Sequence, residues 1–227
     1  MKTAIAFLLL IIAVIAVSAL FRIGDKPGIQ LVEGLPWQIE ILPNGETKVF
    51  GLIPTRSTLD DARGRFGMDM EIAVIAAPGE PGSLEAYSSS VTTGVIMGKM
   101  ILVAAVDRET VARLRQRAVK AEYMDGTTRK YILHPDDLAF AWRAPIAAIT
   151  FIPAANLDEQ TVLGRFGVPN ERIRIDDRVE HFLYPEKGLD LALDSKGKEV
   201  LQYIAPRQFA RLREPLIKVA PVTTQSP

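Results

Sequence analysis

The sequence has no cysteine and only two histidines. Without thiols there is no disulfide framework, no thiolate zinc site, no cysteine nucleophile and no cysteine to carry a lipoprotein's acyl chains. His134 and His181 stand far apart with no histidine beside either, so no metal-ligand spacing is present. Neither charge is in excess, since 27 basic residues balance 27 acidic ones. A nucleic-acid-binding domain carries a basic surplus, and that class is excluded. No Gly-x-Ser-x-Gly elbow and no Gly-Lys-Ser/Thr phosphate loop occurs. The composition implies no cofactor, no metal and no catalytic residue, and the expected protein is not an enzyme.

A long apolar run, by contrast, is present. Ala4 to Phe21 is interrupted only by Ser18. As a helix it would span about 27 Å, near the hydrocarbon thickness of a bilayer. Val17-Ser18-Ala19 also offers the small residues of a signal-peptidase site. Residues 1–22 therefore read as a signal anchor or a cleaved signal peptide, and the hydrophobic length favours the anchor. The expectation is a bacterial inner-membrane protein, single-pass through residues 4–21, with its folded part in the periplasm. The alternative is a soluble periplasmic protein.

Residues 23–54 read as a linker followed by a β-hairpin, Trp37–Ile41 against Thr47–Phe50, turning at Asn44-Gly45. Ser57 offers a helix N-cap, and the helix runs to about Phe66 with Asp60 and Asp61 in its first turn. Strands are expected over Glu71–Ala76, Leu84–Ser90 and Val95–Val106. Asp107 then caps a helix over Arg108–Ala121. A hairpin over Tyr123–Leu133, a helix from His134-Pro135 toward Trp142 and a strand Ile146–Ile152 follow. Asp158–Phe166 is a helix. Ile173–Ile175, Val179–Tyr184, Leu189–Leu193 and Glu199–Ile204 are strands. Pro206 opens a last helix to about Leu212, and residues 217–227 are assigned to a disordered tail.

Gly64-Arg65-Phe66-Gly67 recurs as Gly164-Arg165-Phe166-Gly167, and Ala112-Arg113-Leu114-Arg115 as Ala210-Arg211-Leu212-Arg213. Two matched tetrapeptides in one order and nearly one spacing argue for duplicated units, 55–121 and 156–216, joined by residues 122–155. The expected fold class is α+β: tandem helix–antiparallel sheet–helix units after an N-terminal hydrophobic helix. The two sheets would merge into one, with helices on one face. Each Gly-Arg-Phe-Gly reads as a helix end: Arg at the negative pole, Phe in the core, Gly as a left-handed cap.

The second unit, through Leu163-Gly164, Gly167-Val168-Pro169, Tyr184, Gly188-Leu189-Asp190-Leu191 and Gly197-Lys198-Glu199-Val200, resembles the SmpA/OmlA outer-membrane lipoproteins (the BamE-like fold). Its tandem repetition is similar to that of the β-lactamase-inhibitor proteins. The resemblance implies a non-enzymatic protein-binding platform in the envelope.

The remaining polar groups have structural readings. His134 caps a turn and His181 lies on a strand face. The pairs Asp60-Asp61 and Asp136-Asp137 sit at helix starts, and Asp176-Asp177 in a turn. Trp37 and Trp142 are core or hairpin-face residues. Arg108, Arg113, Arg115, Arg117 and Lys120 on one helix, and Arg207, Arg211 and Arg213 on the other, could contact anionic lipid headgroups or an acidic partner; otherwise they are solvated faces. The leading expectation is a tethered scaffold that offers a sheet face or edge to an unidentified envelope protein. A lipid-contacting peripheral protein comes second, and an envelope hydrolase third.

Overall fold

A computed structural model describes residues 32–124 and 126–220. The expected N-terminal anchor and the start of the linker lie outside the described residues. Among those residues no helix is long and apolar enough to cross a membrane.

The fold is α+β. Two short strands, β1 (Glu40–Ile41) and β2 (Thr47–Lys48), form a small hairpin. The chain continues through α1 (Leu59–Phe66), β3 (Glu71–Ala76), β4 (Ser83–Thr93), β5 (Ile96–Ala104) and α2 (Arg108–Arg117). Then come β6 (Lys120–Tyr123), β7 (Arg129–Ile132), α3 (Pro135–Trp142), β8 (Ile146–Pro153) and α4 (Glu159–Phe166). The last elements are β9 (Glu171–Arg174), β10 (Val179–Tyr184), β11 (Leu189–Asp194), β12 (Val200–Ile204) and α5 (Ala210–Val219).

Ten strands make one antiparallel sheet in the order β6-β7-β3-β4-β5-β8-β12-β11-β10-β9. Strand β8 pairs with both β5 and β12, so it joins the two halves. Successive side chains on a strand point to opposite faces. Val74, Leu84, Ala86, Met100, Leu102, Ile149, Phe151, Leu201, Tyr203, Leu191 and Phe182 therefore share one face, and all belong to the main core. On that side lie Leu59 and Ala62 of α1, Val111 and Leu114 of α2, Ala141 of α3, and Val162 and Phe166 of α4.

Caps set the helix starts. Thr58, not Ser57, caps α1, and it forms a reciprocal box with Asp61. Asp107 caps α2, His134 caps α3 and Asp158 caps α4. Both Gly-Arg-Phe-Gly segments end a helix, but their last glycines are not left-handed helical caps. Gly67 has φ 128° and ψ 149°, and Gly167 φ 85° and ψ −173°. These conformations are extended in ψ and favour glycine, and they turn the chain straight into the following strand.

Other expectations shift for reasons of tertiary contact. The α2 helix stops at Arg117 because the sheet edge takes the next residues, with the Val119 N–H donating to the Ile132 carbonyl at 2.9 Å. The last helix runs on to Val219, through Pro215, so residues 217–219 are helical. Proline there removes one helical hydrogen bond. Leu212, Leu216 and Ala220 form an apolar stripe that runs across it, packed on Ile173, Leu183, Ile204 and Phe209. Leu183 alternates with Phe182 and Tyr184 of the main core. The second cluster, and α5 with it, therefore lies on the opposite face of the sheet, and the helices do not all share one face.

Residues 33–54 are core as well as linker and hairpin. The Phe50 ring lies 5.3 Å from both Phe151 and Tyr203, and the Tyr203 hydroxyl donates to the Pro36 carbonyl at 2.9 Å. The repeated arginines reach into this segment: Arg165 lies over Trp37 at 4.8 Å, and the Arg65 guanidinium stacks against Gly51.

Candidate functional site

The side of the sheet opposite the main core is covered by α5 over the β9–β12 end. Over β3, β4 and β5 no described helix lies on it. There the alternation presents Glu71, Ala73 and Ile75 of β3, Glu85 and Tyr87 of β4, Lys99 and Ile101 of β5, and Lys130 of β7. With Met124, just beyond β6, they line a concavity of about 350 Å³. The register sets its floor: Glu71 pairs with Tyr87 and Tyr87 with Ile101, while Ala73 pairs with Glu85 and Glu85 with Val103.

The charges of this concavity differ in their surroundings. Lys130 is ion-paired with Glu71. Glu85 accepts a hydrogen bond from the Ser83 hydroxyl at 2.5 Å. Burial raises the Glu85 pKa above the usual carboxylate range, and the Ser83 hydrogen bond offsets part of that. Lys99 is exposed, and its side chain has no ion-pair or hydrogen-bond partner among the described residues.

A carboxyl whose folded pKa is raised binds its proton more tightly in the native state. Its stabilisation is present below the unfolded pKa and is lost as pH rises through the folded one. Glu85→Gln is therefore expected to raise stability at pH 7.5 relative to wild type, with the gain vanishing near pH 4. Urea unfolding at the two pH values measures this, and a gain independent of pH would contradict it.

The arginines singled out in the sequence are distributed around the molecule. Among the described residues Arg108 has no partner. Arg113 lies 5.8 Å from the Phe140 ring, in a shallow recess that Arg143 also lines. Arg115 donates to the Glu80 carbonyl and lies over Tyr131, and Arg117 pairs with Asp137 at 2.9 Å and with Asp136. Arg207 reaches Glu46 and Thr55, Arg211 donates to Gln208, and Arg213 grips Glu171 with two bonds of 2.6 and 2.9 Å. Because α2 and α5 lie on opposite faces of the sheet, the two sets are not brought together.

His134 accepts the Asp136 N–H as a cap, and Asp176 accepts from the Arg178 and Val179 N–H groups in a turn. Trp142 lies 4.3 Å beneath the Arg63 guanidinium. Among the described residues no group of three or more His, Asp or Glu side chains is placed to hold a metal ion.

One pair was missed. His181 Nδ1 lies 2.8 and 3.0 Å from the two carboxylate oxygens of Asp190, which is 2% exposed. In the β10–β11 hairpin Asp190 faces Leu183, two residues from His181, so the pair is a diagonal cross-strand contact. The hairpin register, readable from the Pro185–Gly188 turn, was the signal that could have found it.

The sheet's two edges also differ. At β9, Arg172 pairs with Glu159, Arg174 with Glu180, and Glu171 with Arg213. At β6, Val119, Tyr123 and Met124 are 57%, 71% and 46% exposed. The β9 charges tie that edge to α4, β10 and α5, whereas on β6 Lys120 pairs with Glu122 of the same strand and the apolar border stays exposed. No protein-family model matches the chain, and no curated protein or solved structure matches it either.

Proposed function

We propose that the protein is a non-catalytic, membrane-tethered or exported envelope protein that binds another protein along the β6 edge of its sheet. The N-terminal apolar run supports the tether. The observation that carries the binding reading is the exposed apolar border of β6, formed by Val119, Tyr123 and Met124, on an edge whose Lys120–Glu122 pair stays within the strand while the β9 edge is tied to its neighbours by ion pairs. An extended partner segment adding to β6 would gain main-chain hydrogen bonds and apolar contact together.

The geometry specifies a test. The Met124 N–H donates to the Thr128 carbonyl, so alternation along the antiparallel pair turns the peptide groups of Ala121 and Tyr123 away from β7. Ala121→Pro would remove an outward donor without breaking the β6–β7 ladder. It is expected to abolish partner crosslinks from a photoreactive residue at position 119 in intact cells, while leaving thermal unfolding within about 0.5 kcal/mol of wild type. Unchanged crosslinks would remove the edge from the reading.

The same reading includes an origin by duplication. It is supported by the two Gly-Arg-Phe-Gly helix ends, each leading into antiparallel strands, and by Ala-Arg-Leu-Arg in α2 and α5. The opposite placement of α2 and α5 would then be a divergence between the copies.

A further inference from the structure

We propose that the concavity over β3, β4 and β5 binds a single-chain amphiphile with an anionic head, the chain lying on Ala73, Ile75, Tyr87 and Ile101 and the head meeting Lys99. This goes beyond the edge-pairing reading and does not depend on it.

Three features converge. First, most of the surface of the lining is apolar, and its size of about 350 Å³ suits a chain of roughly ten methylenes. Met124 supplies an adaptable wall. Second, Glu71 and Lys130 neutralise each other, and Glu85, hydrogen-bonded by Ser83, is a carboxyl whose charge burial disfavours. Lys99 is left as the cation without a partner among the described residues, two residues along β5 from Ile101. A ligand with a negative end would complete that pairing, whereas a cationic head would meet an unopposed ammonium. Third, Glu85 is part of the floor, and a hydrocarbon chain laid over it would desolvate it further. Since burial already favours its protonated form, ligand binding would take up a proton there. Binding is therefore tighter at pH 5 than at pH 8 even for a head group that does not titrate.

The test uses the full chain in nanodiscs of zwitterionic phospholipid. The probe is a ten-carbon alkyl sulfonate bearing a diazirine at the tail, with the trimethylammonium analogue of the same tail as its comparison. Photolabelled peptides are mapped by mass spectrometry. The expected result is sulfonate labelling of the peptides holding Tyr87, Ile101 or Met124. Lys99→Glu should lower it about fivefold, Ile101→Arg should abolish it, and excess ethanesulfonate should not compete. Lys99 is exposed and its side chain has no partner among the described residues, so its replacement leaves the fold intact even if Ile101→Arg does not. Labelling should rise from pH 8 to pH 5, and Glu85→Gln should flatten that rise. Equal labelling by the ammonium analogue, insensitivity to Lys99→Glu, displacement by ethanesulfonate or the absence of label on these strands would each overturn the proposal. Ala121→Pro should leave the labelling unchanged, which separates this site from the edge.

Discussion

Phe50→Ala is expected to lower stability by about 3–5 kcal/mol, a large share of the roughly 5–15 kcal/mol that holds a domain folded. The ring is 1% exposed and sits between Phe151 of the central strand and Tyr203 of its neighbour. Removing it leaves a cavity at the point where the two halves of the sheet meet. The residue is also conformationally committed. Val49 and Leu52 exchange both backbone hydrogen bonds around Phe50 and Gly51, which have φ of 56° and 78°. Positive φ at both central positions is what a two-residue hairpin of the primed type requires. A large side chain held there, at some cost in backbone strain, marks the burial it provides. Ile41→Ala is the internal control. Ile41 belongs to the same N-terminal stretch but is 54% exposed, and its replacement should shift stability by no more than about 0.5 kcal/mol. Equal urea midpoints for the two variants would show that residues 33–54 are an appendage.

Asp190→Ala should cost about 1–3 kcal/mol, because it strips the hydrogen-bond partner from a largely buried imidazole. His181→Ala leaves the opposite error, a carboxylate 2% exposed that has lost its hydrogen-bond donor. Replacing both residues together by leucine should restore much of the loss, since a buried hydrogen-bonded pair contributes less by its presence than either member costs when left alone. A double-mutant cycle in urea measures this directly, and additive losses would mean that the contact at 2.8 Å carries no coupling. The Glu171–Arg213 pair, at similar distances but with side chains 35% and 42% exposed, should show much weaker coupling.

These two sites show where reading the sequence succeeds and where it stops. Helix starts at Asp107, His134 and Asp158 were legible because a cap is a contact between residues three positions apart or fewer. Strand β3 was legible with its full span because a short apolar run and the following Pro-Gly loop are both local. The Gly-Arg-Phe-Gly repeats announced helix ends correctly, but the glycine conformation depends on the strand that follows, and a tetrapeptide does not contain that. The candidate concavity was not visible at all. Glu71, Glu85, Lys99 and Lys130 span sixty positions of sequence, and they become neighbours only through the register of four strands.

What the sequence alone determined is the α+β class, the succession of helices and strands, the absence of thiol chemistry and the balance of basic and acidic residues. Those follow from composition and from interactions within a few residues. The tertiary structure decided that β8 joins the halves, that α5 crosses to the far face, that Phe50 is central and that His181 meets Asp190. Each of these is a pairing between segments distant along the chain, fixed by strand order and by which apolar face remains to be covered.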